Sequence, residues 1–346
     1  MAHTPDHSAD SPWLEQLLAR LPAARVAVFG DLCLDAYWLL ADAPGETSVE
    51  TGLPARRVAA QRYSPGGAGN VAANLAALGV GHIEVIGQVG ADLFGDELVR
   101  QFALRGLPTG GVLRGPPGWQ TFVYAKPCQG SVELNRLDFG GENRFPEATV
   151  RPLLARLEKA AGSCPVVIIN QQAPGGWSAD MLSELNALIA RHPRTLFIVD
   201  SRDHAGAFPA AALKLNLREA AAQLGEPAAE LTADDALRLA ATLARRQRQP
   251  VLVTRGEHGL ALATSDGEFD VPGIELSGAA DPVGAGDAAL GGGRRGARRV
   301  RRSHGCRGDP ARGRDAGQSR RRHHHAPAAD HRHRHSRAAP CRRPGT

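Results

Sequence analysis

The chain contains no apolar run close to the roughly 20 residues that span a bilayer, and its five cysteines (Cys33, Cys128, Cys164, Cys306, Cys341) include no CxxC pair. The first absence excludes a membrane-spanning helix. The second removes the usual structural zinc clamp and points to a reduced, cytoplasmic chain without structural zinc. The N-terminus, MAHTPDHSADSPW, lacks the basic-then-apolar order of a signal peptide. The formal charge of +5 conceals an uneven distribution. From Arg294 onward there are 17 arginines, no lysine and three acids (Asp309, Asp315, Asp330), leaving 24 basic against 33 acidic residues before it, a balance of −9. The body is an acidic protein and only its tail is basic.

Beyond Leu290 the chain also lacks Leu, Ile, Phe, Met, Trp and Tyr. No core forms from such a composition, so 291–346 is expected to be disordered. An arginine run suggests nucleic acid, and His323, His324 and His325 with His331, His333 and His335 suggest metal binding. A shifted reading frame explains the tail better than either. In the +1 frame, permitted codons turn Gln318–His325 into Asn-Leu-Ala-Ala-Val-Thr-Ile-Thr, an ordinary helix-to-strand segment. Asp330–Ser336 becomes Thr-Thr-Gly-Thr-Ala-Thr-Pro in the same way. Arginine and histidine codons shift to those of Gly, Ala, Val, Asp, Thr and Ile. The slip is expected between Ala288 and Gly293, and nucleic acid is not the expected partner.

What the chain does contain is organised around AADPVGAGDAAL, Ala279–Leu290. A Gly-x-Gly turn entering a helix gathers backbone N–H groups, and the helix adds its positive end. The nest at Gly284, Ala285 and Gly286 suits a phosphoryl group. Asp287 beside it can take a proton from a substrate hydroxyl. Asp-Pro-Val-Gly-Ala-Gly-Asp-Ala resembles the C-terminal signature of the ribokinase-like (PfkB) carbohydrate kinases. The resemblance makes Asp287 the catalytic base and Gly284–Gly286 the anion hole.

Upstream, 346 residues suffice for one large α/β domain or two small ones. Ser11–Leu21 has helical spacing. RVAVFGD, Arg25–Asp31, reads as a buried parallel strand, with Asp35 in the loop just past its end. Leu40–Tyr63 and Trp119–Phe139 carry β-leaning pieces, including TFVYAK and VELNRLDF, and read as an accessory sheet. From Pro146 onward strands and helices alternate: PVVIIN, a helix near 179–191, TLFIVDSRD, KLNLREAAAQLG and PVLVTRGEHGLAL. That alternation predicts an α/β fold with a doubly wound, mainly parallel sheet. Gly67-Ala-Gly69-Asn-Val-Ala72 matches the dinucleotide fingerprint GxGxxA, which keeps an NAD-dependent oxidoreductase open. Polar Gln61–Pro65 precedes it where the fingerprint requires a buried strand.

The kinase resemblance extends over about Arg25–Leu290 and implies 1–24 as an extension, 25–290 as the kinase domain, and a β lid from about 40–63 and 119–139. It implies ATP and Mg²⁺, a small-molecule sugar or sugar phosphate as acceptor, and a homodimer through the lid. Asp35, Gly66, Gly67 and Asn70 take the acceptor roles; Gly66 and Gly67 are also the lid hinge. Asn216-x-x-Glu219 resembles the motif that organises Mg²⁺ and phosphates through water, and its spacing equally suits a capped helix. Thr254, Arg255, Gly256 and Gly259 resemble the turn that holds ATP. GDLCLDAYW, with Arg136 and Asp138 in VELNRLDF, resembles the heptose 7-phosphate kinase branch. The segment between Leu39 and Arg62 departs from that branch. Lys126 joins Arg136 and Asp138 as a sugar-site candidate, with surface salt-bridging as the alternative for each.

Overall fold

In the computed structural model, strand β1, Arg25–Leu40, is 16 residues long and serves two sheets. Residues 12–43, 45–227 and 231–273 are described. Asp287, the Gly284–Gly286 turn and the whole of 291–346 therefore lie outside the described residues.

The first half of β1 alternates between two cores. Val26 and Val28 pack with Val71 and Leu75 of helix α2 (Ala68–Leu78) and with Leu98 and Phe102 of α3 (Leu93–Ala103). Ala27 and Phe29 face the other way, into Leu153 and Leu157 of α4 (Glu147–Ala161) and Met181 and Leu185 of α5 (Ala179–Arg191). A strand buried on both faces must be apolar throughout, as Arg25–Phe29 nearly is. The parallel neighbours of β1 are β3 (His82–Val89) and β8 (Val166–Gln171). Beyond β3 lies β4 (Val112–Arg114). On the other side follow β9 (Leu196–Ser201), β10 (Ala212–Asn216) and β11 (Val251–Thr254), all parallel. β12 (Leu260–Thr264) and β13 (Gly267–Val271) close that edge antiparallel. Helices α6 (Leu217–Leu224) and α7 (Asp235–Gln247) pack beside these strands. The α/β, doubly wound, mainly parallel sheet expected from the alternation is the fold observed.

The second half of β1 leaves this sheet for a smaller one. It pairs antiparallel with β2 (Val58–Gly67) and parallel with β5 (Phe122–Gln129), which also carries β6 (Val132–Glu133) and β7 (Leu137–Phe139). Two expectations need correction. Asp35 is inside β1 and not in a loop, because Leu32–Leu34 and Ala36 stay buried past the main sheet and keep the strand extended. A strand does precede Gly67-Ala-Gly69, but it is the antiparallel lid strand β2. The parallel strand of a dinucleotide fold is missing at that point, so the fingerprint is a coincidence of spacing.

Candidate active site

The chain runs from β1 outward to β3 and β4, then returns to place β8 on the opposite side of β1. Such a reversal opens a crevice at the carboxyl ends of the two strands, where open α/β sheets bind ligands. Two glycines let the backbones close around it. A Cβ on Gly30 (φ +146°) would stand 1.9 Å from the Asn170 carbonyl oxygen, and one on Gly67 (φ +53°) 2.6 Å from that of Asp31.

Asp31 closes the base of the crevice. Its Oδ2 accepts from the Gln172 and Ala173 N–H groups, each at 2.8 Å, and its Oδ1 from Trp177 Nε1 at 2.9 Å. Burial raises its pKa to about 6 against the pull of these three donors. Because the folded value lies above the ordinary one, Asp31's favourable contribution is complete below about pH 4 and is lost as pH rises through about 6. Trp177→Phe removes the donor to Oδ1, and a bond to the charged carboxylate is worth more than one to the acid. The expected loss is about 1–3 kcal/mol at pH 7.5 and distinctly less at pH 4.5, read from urea midpoints. Equal losses at both pH values would show that Asp31 does not change its ionisation between them.

The lid supplies a second group of side chains. Register partners in a sheet share a face, so Asp35 and Tyr37 of β1, Ser64 of β2, Tyr124 and Lys126 of β5 and Asp138 of β7 project together. Lys126 Nζ donates to Asp35 Oδ1 at 2.8 Å and to the Tyr37 hydroxyl at 3.3 Å, and lies 4.8 Å from the Tyr37 ring centroid. The side chains of Lys126 and Asp35 are only 5% and 13% exposed. Burial pushes the Lys126 pKa down, but Asp35 and Tyr37 more than offset it, so the ammonium stays charged. Asp35 Oδ2 points at Gly66, where a Cβ would come within 2.9 Å. Asn70 stands in the first turn of α2, just after the Gly66–Gly67 pair. Arg136 and Asp138 are joined to each other by bonds of 2.6 and 2.8 Å, half-exposed, with the guanidinium 4.8 Å from the Tyr124 ring. They form the salt bridge weighed as the alternative, at the margin of the same face.

Further along the sheet, the ends of β8, β9 and β10 bring Asn170, Asp200 and Lys214 together. Lys214 Nζ donates to Asp200 Oδ2 at 2.8 Å, and Asn170 Nδ2 lies 3.5 Å from the same oxygen. Asn170 Oδ1, fully buried, has no hydrogen-bond partner among the described residues. Burial raises the Asp200 pKa although Lys214 pulls it down. Asn216 and Glu219 make the capping box of α6: Asn216 Oδ1 accepts from Glu219 N–H at 2.9 Å, and Asn216 N–H donates to Glu219 Oε2 at 2.7 Å. The Glu219 pKa is raised, first by burial and then by the nearby Asp200 charge. Thr254 is the register partner of Asn216. After it, Gly256 (φ +65°) and Gly259 (φ +95°) turn the chain into β12. Arg255 is committed to this hairpin: its guanidinium donates to the His258 carbonyl at 2.8 Å and pairs with Asp270. Of the residues of this turn, Arg255 is thus engaged within the protein.

No sequence motif assigns a site role to Asp31 or Lys214. A signal existed, since the chain has three lysines and two of them, Lys126 and Lys214, interrupt apolar strands. Each is buried against an aspartate at the carboxyl side of the sheet.

A crevice at the carboxyl ends of a doubly wound sheet, with a second small sheet carrying a buried Asp35–Lys126 pair, is where open α/β folds bind small molecules. Residues 23–293 match the model of the pfkB family of carbohydrate kinases, and the chain belongs to that family. It is 34% identical over 271 residues to the bifunctional protein HldE of Halorhodospira halophila, covering 77% of this chain and 54% of that one. To HldE of Methylococcus capsulatus it is 31% identical over 281 residues, covering 79% and 56%. The chain thus spans about half the length of these curated relatives. Among solved structures it resembles phosphofructokinase-2 from Escherichia coli in complex with fructose-6-phosphate, with TM-score 0.60, 22% identity, and 78% and 84% of the two chains covered. A nucleoside kinase from Burkholderia thailandensis in complex with inosine gives TM-score 0.52 at 20% identity, covering 77% and 82%. Among the described residues, no helix is long and apolar enough to cross a membrane.

Proposed function

We propose that this chain derives from an ATP-dependent kinase that transfers the γ-phosphoryl group of ATP to a hydroxyl of a sugar or sugar phosphate. The foremost acceptor is D-glycero-D-manno-heptose 7-phosphate at O1. The observation that carries the reading is the buried Asp35–Lys126 pair in the smaller sheet. Lys126 occupies Oδ1 and leaves Oδ2, beside Gly66, for a substrate hydroxyl. Gly67 and Asn70 complete the acceptor side. Arg136 and Asp138 would border a phosphorylated substituent.

Asp287 takes the acceptor's proton while the N–H groups of Gly284, Ala285 and Gly286 receive the transferring phosphoryl. ATP lies along Thr254, Gly256 and Gly259, with Asn216 and Glu219 toward its phosphates. Mg²⁺ fits the donor chemistry there, since Glu219 and Asp200 are hard oxygen donors, each with one carboxylate oxygen engaged, by the Asn216 N–H and by Lys214 respectively. Glu219 would hold it through water, and when bound it would neutralise phosphate charge. Cytoplasmic location and a homodimer through the lid belong to the same proposal.

The tail bears on activity as well as ancestry. Sequencing the locus should reveal a single-base slip between Ala288 and Gly293, and an intact frame would remove that explanation. With the frame restored, sugar-dependent ADP formation should be fastest with the heptose 7-phosphate among ribose, fructose, nucleoside and heptose acceptors. A higher kcat/KM for any of the others would reassign the acceptor. Nicotinamide binding without kinase turnover would favour the oxidoreductase reading.

A further inference from the structure

The opposite end of the sheet carries a cluster unrelated to phosphoryl transfer. His82 and Glu84 stand two residues apart on β3 and so share a face. Cys164 lies just before β8, on the far side of β1. Between them β1 presents Ala27, which is paired with Glu84 on one side and Val167 on the other. Its small side chain lets the flanking donors meet across the strand.

We propose that His82, Glu84 and Cys164 form a site for a thiophilic divalent cation such as Zn²⁺. His82 Nε2 is 3.3 Å from Glu84 Oε1, Cys164 Sγ is 4.0 Å from the same oxygen, and all three donor atoms lie within 4.8 Å of one another. Bonds of about 2.0–2.3 Å in a tetrahedron set donor atoms about 3.3–3.7 Å apart. The nitrogen and oxygen are already so placed, and the sulfur has only to move inward. No other such group occurs among the described residues.

The contacts of His82 also favour a cation. Its Nε2 faces the Glu84 carboxylate and, at 3.3 Å, the Nη2 of Arg25. One imidazole nitrogen cannot accept from a guanidinium and donate to a carboxylate at once. Either tautomer leaves one neighbour unserved, whereas a metal ion takes the nitrogen lone pair and the carboxylate together. Arg25 is the competing charge. Its Nε is held by the Ser163 carbonyl at 3.1 Å, so Nη2 can turn aside while that bond remains. His82 and Glu84 are partly exposed, which opens a route for the ion and a fourth position for water, while Cys164 is buried. Binding ionises the thiol and releases its proton to solvent. The donors come from two strands and a loop that are distant in sequence, which explains why no CxxC or HxxxH pattern marks them.

The test uses Co²⁺ as a spectroscopic probe on the full chain. Tail ligands are separated by using a Cys306→Ser/Cys341→Ser background. The expected result is a sulfur-to-cobalt charge-transfer band in that background, displaced by Zn²⁺ and lost in Cys164→Ser. His82→Gln, at a partly exposed position, should weaken Zn²⁺ binding at least about tenfold. Arg25→Gln should tighten it severalfold. A band that survives Cys164→Ser, or zinc binding unaffected by His82→Gln, would assign the metal to other residues. Absence of any band in the Cys306→Ser/Cys341→Ser protein would overturn the site outright.

Discussion

Asp287→Asn in the frame-restored protein is expected to lower kcat by about 10²–10⁴, the usual worth of general-base catalysis, with ATP and sugar binding retained. Phosphoryl transfer depends chiefly on positioning and charge neutralisation, so a carboxylate beside the transferring group has two available jobs. It can orient the acceptor hydroxyl and take its proton, or it can close the Gly284–Gly286 turn. Asparagine keeps the shape and much of the hydrogen bonding but cannot accept the proton. A loss confined to kcat therefore identifies the base. A loss of ATP affinity or of folding, with kcat little changed in what remains, would make Asp287 a structural residue. The comparison needs the restored frame. In the 346-residue sequence a helix begun at Asp287 soon meets Gly291–Gly293, at about 1 kcal/mol per glycine relative to alanine, and then a run of arginines. That form should turn over little or not at all, and sugar-dependent ATP hydrolysis near the restored rate would show otherwise.

The architecture was legible because periodicity reports burial. Val26–Phe29 reads as apolar without alternation, and in the structure its side chains enter two cores on opposite faces. The helix near 179–191 was legible for a similar reason, with Met181, Leu185 and Leu188 along one face and Ser178 capping it. Where β1 ends was not legible. Its continuation through Asp35 depends on pairing with β2 and β5, which lie some 30 and 90 residues further on, and one polar residue in a strand reads locally as a loop. VELNRLDF likewise splits into β6 and β7, because only Val132–Glu133 and Leu137–Phe139 find partners on β5. At the site, Asn216 and Glu219 were legible as a spacing, and the structure shows that spacing serving the helix cap. In the sequence alone Lys126 suits either a sugar site or a surface salt bridge. Its burial follows from packing against Tyr37 and Asp35 of another strand, which no local window contains. The His82–Glu84–Cys164 group is hidden in the sequence for the same reason.

Lys126→Met is expected to destabilise the protein by about 3–5 kcal/mol, the cost of leaving one member of a buried ion pair without its partner. The side chains of Asp35 and Lys126 are 13% and 5% exposed, so solvent screens the stranded carboxylate only weakly. Asp35→Asn should cost less. Its amide oxygen still accepts from Lys126, and the ammonium keeps the Tyr37 hydroxyl and ring. The Asp35→Asn/Lys126→Met double variant should then be more stable than Lys126→Met alone, because no unpaired charge remains. A double variant no better than Lys126→Met would show that packing, and not charge, sets the cost. Catalysis gives an independent reading of the same pair. Each lost hydrogen bond to a charged group is worth about 1.5–3 kcal/mol, so Asp35→Ala in the frame-restored enzyme should raise the sugar KM about 10- to 150-fold. ATP affinity should hardly change, since the residues proposed for the nucleotide stand on β10, β11 and α6, whereas Asp35 stands in the smaller sheet. An unchanged sugar KM would remove Asp35 from the acceptor site and leave the ion pair as a purely structural link between β1 and β5.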